Sequence, residues 1–152
     1  MVRLRFIAYF CTMLLSAATA QAQLLSDRAQ VSLLTCGPGQ DLYATFGHSA
    51  LQIHDPVTGL DRVYNYGTFD FDTEGFYVKF TRGKLNYILS VTTFDQFIWE
   101  YEYTGRSVFR QVLDLSPAQK EDLFAFLEQN ALPENREYKY DFFYDNCSTR
   151  IR

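Results

Sequence analysis

The chain has 152 residues and a formal net charge of −4 at pH 7. This length suits a single domain, and the hydrophobic (47%) and aromatic (17%) fractions predict a packed, sheet-rich core and exclude a disordered chain. The charged residues, 21% of the chain, form no basic stripe, which argues against nucleic acid as a partner.

The N-terminus has the three parts of a secretory signal peptide. Arg3 and Arg5 supply positive charge, residues 6–15 form a mostly apolar run, and residues 20–22 (AQA) have the small-x-small pattern of a cleavage site. We predict a signal peptide over residues 1–22, export to the periplasm, and a mature domain over residues 23–152 with a net charge of −6. An uncleaved N-terminal anchor is the alternative, although the apolar run is short for a membrane span.

Apolar periodicity and turn residues predict the elements that follow. Residues 48–66 alternate apolar and polar side chains around a turn at 55–59, which is typical of a β-hairpin. Further along, aromatic and apolar residues recur at helical spacing from Phe94 to Tyr101. The remaining predictions are strands at 31–35, 85–91, 106–115 and 138–144, and helical turns at 40–46.

The clearest helix begins after Ser116. This serine suits the N-cap, Pro117 suits the first helical position, and Gln119 completes a capping box. Asn130 and Pro133 are expected to end the helix. Antiparallel strands with packed helices make the predicted fold class α+β.

A second helix is predicted to begin at Cys147, with Asp145 or Asn146 as its N-cap. The chain ends about one turn later at Arg152, and a helix of one turn does not support itself. We therefore expect the sequence to be the front part of a longer protein.

Cys147 and His48 are the residues best suited to nucleophilic chemistry. A thiol at a helix N-terminus meets unpaired backbone N–H groups and the positive end of the helix dipole, which lower its pKa. A nearby imidazole strengthens this effect and can protonate a leaving group, and the free N–H groups can hold an oxyanion. The other histidine, His54, lies beside the hairpin turn and is expected to be solvated.

Asn65 is the predicted third member of this site. If the hairpin turns around Val57 and Thr58, Asn65 lies opposite Ala50, on the same face of the sheet as His48. Its side-chain carbonyl can then accept a hydrogen bond from the imidazole and orient the ring.

The alternatives to a catalytic pair are structural. Cys11 lies inside the predicted signal peptide, so Cys36 and Cys147 remain in the exported protein, and an oxidising periplasm allows them to form a disulfide. The two cysteines and two histidines have none of the spacings typical of a metal site. No phosphate-binding loop or GxSxG motif is present, and we predict neither a metal nor a cofactor.

Five motifs occur in one order along the chain. They are residues 34–39 (LTCGPG), 46–51 (FGHSAL), 64–71 (YNYGTFDF), 77–85 (YVKFTRGKL) and 140–150 (YDFFYDNCSTR). Two of their segments, GHS at 47–49 and DNC at 145–147, are specific in combination. Together the motifs resemble the Lnb N-terminal periplasmic domain family, and the resemblance runs from about residue 33 to residue 152.

The resemblance implies a permuted papain-like fold, with histidine before cysteine in the chain, similar to lecithin:retinol acyltransferase-type proteins. Named members of the family are bacterial lipoprotein N-acyltransferases. By this likeness Cys147 is the nucleophile and His48 the base, and the complete protein is anchored by a membrane-embedded C-terminal portion.

The function expected from residues and resemblance together is a thiol-dependent acyltransferase. It takes an acyl chain from a phospholipid, carries it as a thioester on Cys147, and gives it to the N-terminal amine of a lipoprotein at a membrane surface. A periplasmic cysteine amidase or peptidase acting on cell-wall peptides uses the same pair of residues and stays open. So does a non-catalytic domain with a Cys36–Cys147 bridge.

Overall fold

The computed structural model describes residues 25–69, 72–83 and 85–152. The predicted signal peptide lies outside the described residues, as do Asp70, Phe71 and Lys84 of two sequence motifs. The described part is an α+β fold in which six strands form one antiparallel sheet and four helices accompany it. This agrees with the predicted fold class.

The sheet has the strand order β5-β1-β2-β3-β4-β6, and every pair is antiparallel. Neighbours in sequence therefore lie side by side over β1 to β4, while β5 and β6 close the two edges. The strands are β1 Gln30–Cys36, β2 His48–Asp55, β3 Leu60–Thr68, β4 Asn86–Thr93, β5 Val108–Val112 and β6 Glu137–Lys139.

The β2–β3 hairpin has the predicted register. Leu51 pairs with Tyr64 and Gln52 with Val63. This is the predicted register, in which Asn65 lies opposite Ala50. Alternation along β2 then sends Ala50 to one face of the sheet and Leu51 to the other. Register matters here because a slip of one residue would move His48 or Asn65 to the wrong face.

Each face of the sheet has its own apolar core. On one face, Leu51, Tyr64 and Leu89 pack with Phe124 and Leu127 of helix α3, Pro117–Ala131. On the other face, a cluster forms around helix α2, Phe94–Tyr103, and contains Leu34, Cys36, Ala50, Val63, Phe97 and Tyr101. Two covered faces account for the high apolar fraction of the chain.

The helix start signals in the sequence are confirmed. Ser116 Oγ accepts from the backbone N–H of Gln119 at 3.4 Å, and the Gln119 side chain returns a contact to Ser116, which completes the predicted capping box. Thr93 and Gln96 form the same motif at the start of α2. None of the helices in the described part of the chain is long and apolar enough to cross a bilayer.

Three predicted segments were wrong in extent, and one helix was not predicted. The strand predicted at 106–115 covers only Val108–Val112, because the Arg106 N–H bonds to the Tyr101 carbonyl (2.8 Å) before it and the Leu115 N–H to the Leu113 carbonyl (3.1 Å) after it. Residues 40–46 contain one 3₁₀ turn, Leu42–Ala44, because the chain closes back on itself through a Gly39 N–H to Ala44 carbonyl bond of 2.9 Å. The extended segment at 138–144 ends at Lys139. The backbones of Asp141 and Asp145 hydrogen-bond to each other, which folds the residues between them into a turn. Helix α1, Phe76–Thr81, is the unpredicted helix.

Candidate active site

His48 is placed by the turn that precedes β2. Gly47 has φ +74°, and a Cβ at this position would lie 2.6 Å from the carbonyl oxygen of Cys36. Only glycine fits both requirements, because other residues disfavour positive φ and the clashing atom belongs to the backbone. The turn therefore sets the direction in which β2 begins and in which His48 leaves the sheet.

Cys147 is the first residue of helix α4, Cys147–Arg150, as predicted. Asn146 is its N-cap and accepts from the N–H groups of Ser148 (2.9 Å) and Thr149 (3.0 Å). A bidentate pair of Arg150 with Asp145, at 2.5 and 2.6 Å, spans the same turn. Cap and ion pair together hold the backbone of Cys147 in place although the helix has only four residues.

Gly67 lies between the histidine and the cysteine. A β-bulge occurs at this point of β3, where Gly67 has φ +120°. A Cβ on Gly67 would lie 3.0 Å from Cε1 of His48 and 3.9 Å from Cβ of Cys147. The two side chains thus border one small space, which the missing side chain of glycine leaves open.

Asn65 contacts the far side of the imidazole, on the face of the sheet that the register predicted. Its Oδ1 lies 2.5 Å from Nε2 of His48. Because an amide oxygen only accepts, Nε2 carries the hydrogen and Nδ1 keeps a lone pair. Nδ1 borders the Gly67 side of the ring, so the basic nitrogen faces the space shared with Cys147.

The surroundings of Cys147 favour its thiolate. Burial raises the pKa of the thiol, but the His48 imidazole, the backbone N–H of Ser49 and the Ser148 hydroxyl lower it, and the net result is about 7 instead of 9.0. The main partner is thus the imidazole on the neighbouring strand. From the sequence alone, the start of the helix is the expected main cause of the lowered pKa.

The helix start also offers fewer free donors than expected. Asn146 occupies the N–H groups of Ser148 and Thr149, so these cannot hold an oxyanion. Within the described residues, nothing accepts from the backbone N–H of Cys147 or bonds to the Tyr140 hydroxyl. Tyr140 stacks on Tyr87 with ring centroids 4.2 Å apart, and both tyrosines line the cavity that holds Cys147.

Two cavities meet at His48. The larger, about 450 Å³, opens beside Cys147 and is mostly apolar; we call it the apolar cavity. The smaller, about 170 Å³, lies on the Asn65 side of the ring and is lined by Glu100 and Arg106; we call it the polar cavity. The apolar cavity is lined chiefly by Leu42, Phe46, Phe80, Leu85, Tyr87, Tyr140 and Phe142.

Exposed aromatic side chains adjoin the apolar cavity. Phe46 and Phe142 line the cavity and contact each other at 5.2 Å between centroids. With Phe143 and Tyr144 they form a group that we call the aromatic rim, in which Phe46, Phe143 and Tyr144 are 79%, 77% and 85% exposed. Exposed aromatics gathered at one opening are typical of a binding surface.

The structure therefore brings together all three residues that the sequence predicted for the site: His48, Asn65 and Cys147. His54 lies near the other end of β2, 3.3 Å from Asp61. Over residues 25–69, 72–83 and 85–152, no group of three histidine, cysteine, aspartate or glutamate side chains is placed to hold a metal ion. The sequence indicated no role in the site for Gly67, Tyr140, Glu100 or Arg106, because none of these residues has a distinctive spacing.

Cys36 and Cys147 are both free in the structure. Cys36 is buried in the core around α2, whereas Cys147 packs against the core on the other face of the sheet. The disulfide considered from the sequence is absent from this arrangement.

Comparison with known proteins identifies a family. The family model described as the Lnb N-terminal periplasmic domain matches residues 16–152. No curated protein and no solved structure matches the chain.

Proposed function

Because the chain belongs to the Lnb N-terminal periplasmic domain family, we propose that it carries the active site of a thiol-dependent acyltransferase. The substrate of the first step is a phospholipid, and the acceptor is the N-terminal amine of a lipoprotein. One observation carries the proposal: a Cys147–His48–Asn65 arrangement opens directly into an apolar cavity. A periplasmic domain also agrees with the export predicted from the N-terminus.

In the first step, Nδ1 of His48 takes the thiol proton of Cys147, and the resulting thiolate attacks the carbonyl carbon of a phospholipid ester. A C–S bond forms and the carbonyl oxygen becomes an oxyanion, which the N–H of Cys147 and the Tyr140 hydroxyl can stabilise as hydrogen-bond donors. As the C–O bond breaks, the imidazolium of His48 gives its proton to the leaving alkoxide. The products are an acyl thioester on Cys147 and a lysophospholipid.

In the second step, the amine of the lipoprotein attacks the thioester. His48, neutral after the first step, accepts a proton from the attacking nitrogen at Nδ1. A C–N bond forms, the C–S bond breaks, and the thiolate of Cys147 is regenerated. Asn65 keeps the ring in the tautomer that both steps require, since it accepts from Nε2.

The shape and polarity of the apolar cavity favour an acyl chain over a cell-wall peptide. Its volume of about 450 Å³ falls within the range of roughly 300–1,000 Å³ for small-molecule sites. Leu42, Phe80 and Leu85 contribute apolar wall and offer no partners for peptide amides. A hydrocarbon chain gives up no hydrogen bonds when it leaves water for such a space, and the burial of its apolar surface is favourable.

The aromatic rim provides a reason for the enzyme to work at a membrane. Phenylalanine and tyrosine side chains insert favourably at the boundary between headgroups and acyl chains. Because Phe46 and Phe142 also line the cavity, a membrane contacted by the rim would deliver an acyl chain straight to Cys147.

The test is to incubate the full-length protein with phospholipid vesicles and examine Cys147 by mass spectrometry. We expect an added acyl mass that hydroxylamine removes, as a thioester requires. The matched control is Cys36→Ala, which should be labelled like the wild type, whereas Cys147→Ala should not. Release of peptides from cell-wall fragments without any thioester on lipid would contradict the proposal and favour the amidase.

A further inference from the structure

The polar cavity has no role in the acyl transfer described so far, yet it adjoins the apolar cavity across the active site. Tyr43, Gly47, His48, Gly67 and Phe69 line both cavities. Two ligands bound in the two cavities would therefore be neighbours, and a single long ligand could occupy both cavities. The residues that belong only to the polar cavity include Asn65, Thr68, Glu100 and Arg106.

Arg106 is held as a binding group. Its Nε donates to the carbonyl of Gly37 at 3.0 Å, and its guanidinium lies over the ring of Tyr101, 4.5 Å from the centroid. One edge of the guanidinium is thereby anchored, and its terminal nitrogens make no hydrogen bond within the described part of the chain. An anchored guanidinium loses little conformational entropy when it binds a phosphate.

Glu100 supplies the opposite charge without neutralising Arg106. Both residues line the polar cavity and a further adjoining cavity of about 310 Å³. Over the described residues, they form no ion pair with each other, since the ion pairs involve other residues. A carboxylate and a guanidinium that share a cavity but remain separate suit a ligand that has both charges itself.

We propose that the polar cavity binds the headgroup of the acyl donor, and that this headgroup is a zwitterionic phosphoethanolamine. Arg106 takes the phosphate and Glu100 takes the ammonium group. This inference rests on the proposed acyltransferase and adds the class of its donor.

The order of groups along a glycerophospholipid supports this assignment. Acyl chain, ester, phosphate and amine follow one another in the lipid. The apolar cavity beside Cys147 suits the acyl chain, and the polar cavity, which carries Arg106 and Glu100, suits the phosphate and the amine. A phosphoglycerol headgroup has the phosphate but no ammonium, so it leaves Glu100 unpaired and close to a second negative charge.

The first measurement is the rate of Cys147 acylation in the full-length protein with vesicles of phosphatidylethanolamine or phosphatidylglycerol carrying the same chains. Both sets of vesicles contain the same neutral matrix lipid with ether-linked chains, which cannot acylate the cysteine. We expect the wild type to react about tenfold faster with the ethanolamine lipid. Equal rates with the two lipids would overturn the headgroup assignment.

Variants then identify the residues. Glu100→Gln should bring the ratio of the two rates close to one, and Arg106→Gln should slow both lipids about tenfold. Glu102→Gln and Arg110→Gln change exposed residues that line none of these cavities and should match the wild type. An unchanged ratio in Glu100→Gln would contradict the role of the carboxylate.

A headgroup-free substrate separates failure of this inference from failure of the proposed function. A p-nitrophenyl ester of a short fatty acid should acylate Cys147 equally in all variants, which also reports that the active site is folded. Failure of every ester to acylate Cys147 would end the acyltransferase itself. If Glu100→Gln slows only the transfer from thioester to amine, the cavity binds the acceptor, and the headgroup assignment is wrong.

Discussion

Two cysteines remain after the predicted signal peptide, and their environments differ in one decisive respect. Cys36 is buried in the core around α2, and burial raises its pKa above the ordinary value. Cys147 is also penalised by burial, yet its pKa falls to about 7. The difference lies in the partners: Tyr101 contacts Cys36, whereas an imidazole contacts Cys147. Burial by itself makes a thiol inert; a basic partner makes it a nucleophile.

The sheet register makes this contrast sharper. Cys36 is the direct cross-strand partner of His48, whereas Cys147 is distant in sequence. Directly paired residues of an antiparallel pair point to the same face, so register alone would assign the imidazole to Cys36. The contact of Nε2 with Asn65 turns the ring toward Gly67 and Cys147 instead. The orientation of the histidine therefore decides which of the two thiols the imidazole contacts.

The largest expected effect is loss of acylation in Cys147→Ala. Removal of the nucleophile should reduce thioester formation by at least about a thousandfold, whereas Cys36→Ala should stay within about twofold of the wild type, because Cys36 touches no reacting atom. Single-turnover labelling with a phospholipid measures both. A comparable loss in the two variants would mean that the two cysteines are not functionally distinct.

His48→Ala should have the next largest effect and change the pH dependence. Without the imidazole, burial is opposed by fewer partners and the pKa of Cys147 should rise. Alkylation by iodoacetamide, which needs only thiolate, should be half-maximal near pH 7 in the wild type and at a clearly higher pH in the variant. Acylation should fall by about 10²- to 10⁴-fold. His54→Ala, at the other end of β2, is the control and should leave both profiles unchanged.

Tyr140→Phe should separate two reactions of the same thiolate. Acylation forms an oxyanion and should slow by about a hundredfold, whereas alkylation forms none and should proceed as in the wild type. Tyr87→Phe is a matched control, since Tyr87 lines the same cavity and stacks on Tyr140. Equal loss of both reactions in Tyr140→Phe would indicate damage to the site and not a missing donor.

Asn65→Ala tests whether ring orientation selects the cysteine. The imidazole should lose its fixed tautomer, and acylation should fall by about 10- to 100-fold. The pH at half-maximal alkylation of Cys147 should rise, but less than in His48→Ala, since the imidazole is still present. Asp61→Asn, at the other end of the same strand and away from both cavities, serves as control. A variant with wild-type rates would show that Asn65 does not orient the ring.

The smallest expected effect is that of Asn146→Ala. Loss of the N-cap should lower the free energy of unfolding by about 1 kcal/mol, measured by denaturant titration. It should shift the alkylation profile of Cys147 only slightly, because the imidazole and not the helix start is the main cause of the lowered pKa. Asn146→Asp keeps the accepting oxygen and should retain more of the stability. A shift of the alkylation profile as large as that in His48→Ala would show that the helix start lowers the pKa of Cys147 as much as the imidazole does.

Local signals in the sequence were sufficient for much of the fold. The hairpin register followed from alternation and turn position, and the capping box at Ser116 and Gln119 located the start of α3. The segment at 138–144 was misjudged because aromatic residues suit strands in general, while here Asp141 accepts from the N–H groups of Phe143 and Tyr144 and makes a turn. A competing side-chain to backbone contact of this kind is hard to foresee.

The sequence by itself determined most of the strands and helices, the face on which His48 and Asn65 lie, and the position of Cys147 at a helix start, because caps, turns and alternation act over a few residues. Only the tertiary structure decided that the His48 ring faces Cys147 and not Cys36, and that an apolar and a polar cavity meet at this ring. Those outcomes depend on contacts between residues far apart in the chain and on the space left at Gly67, which no local pattern encodes.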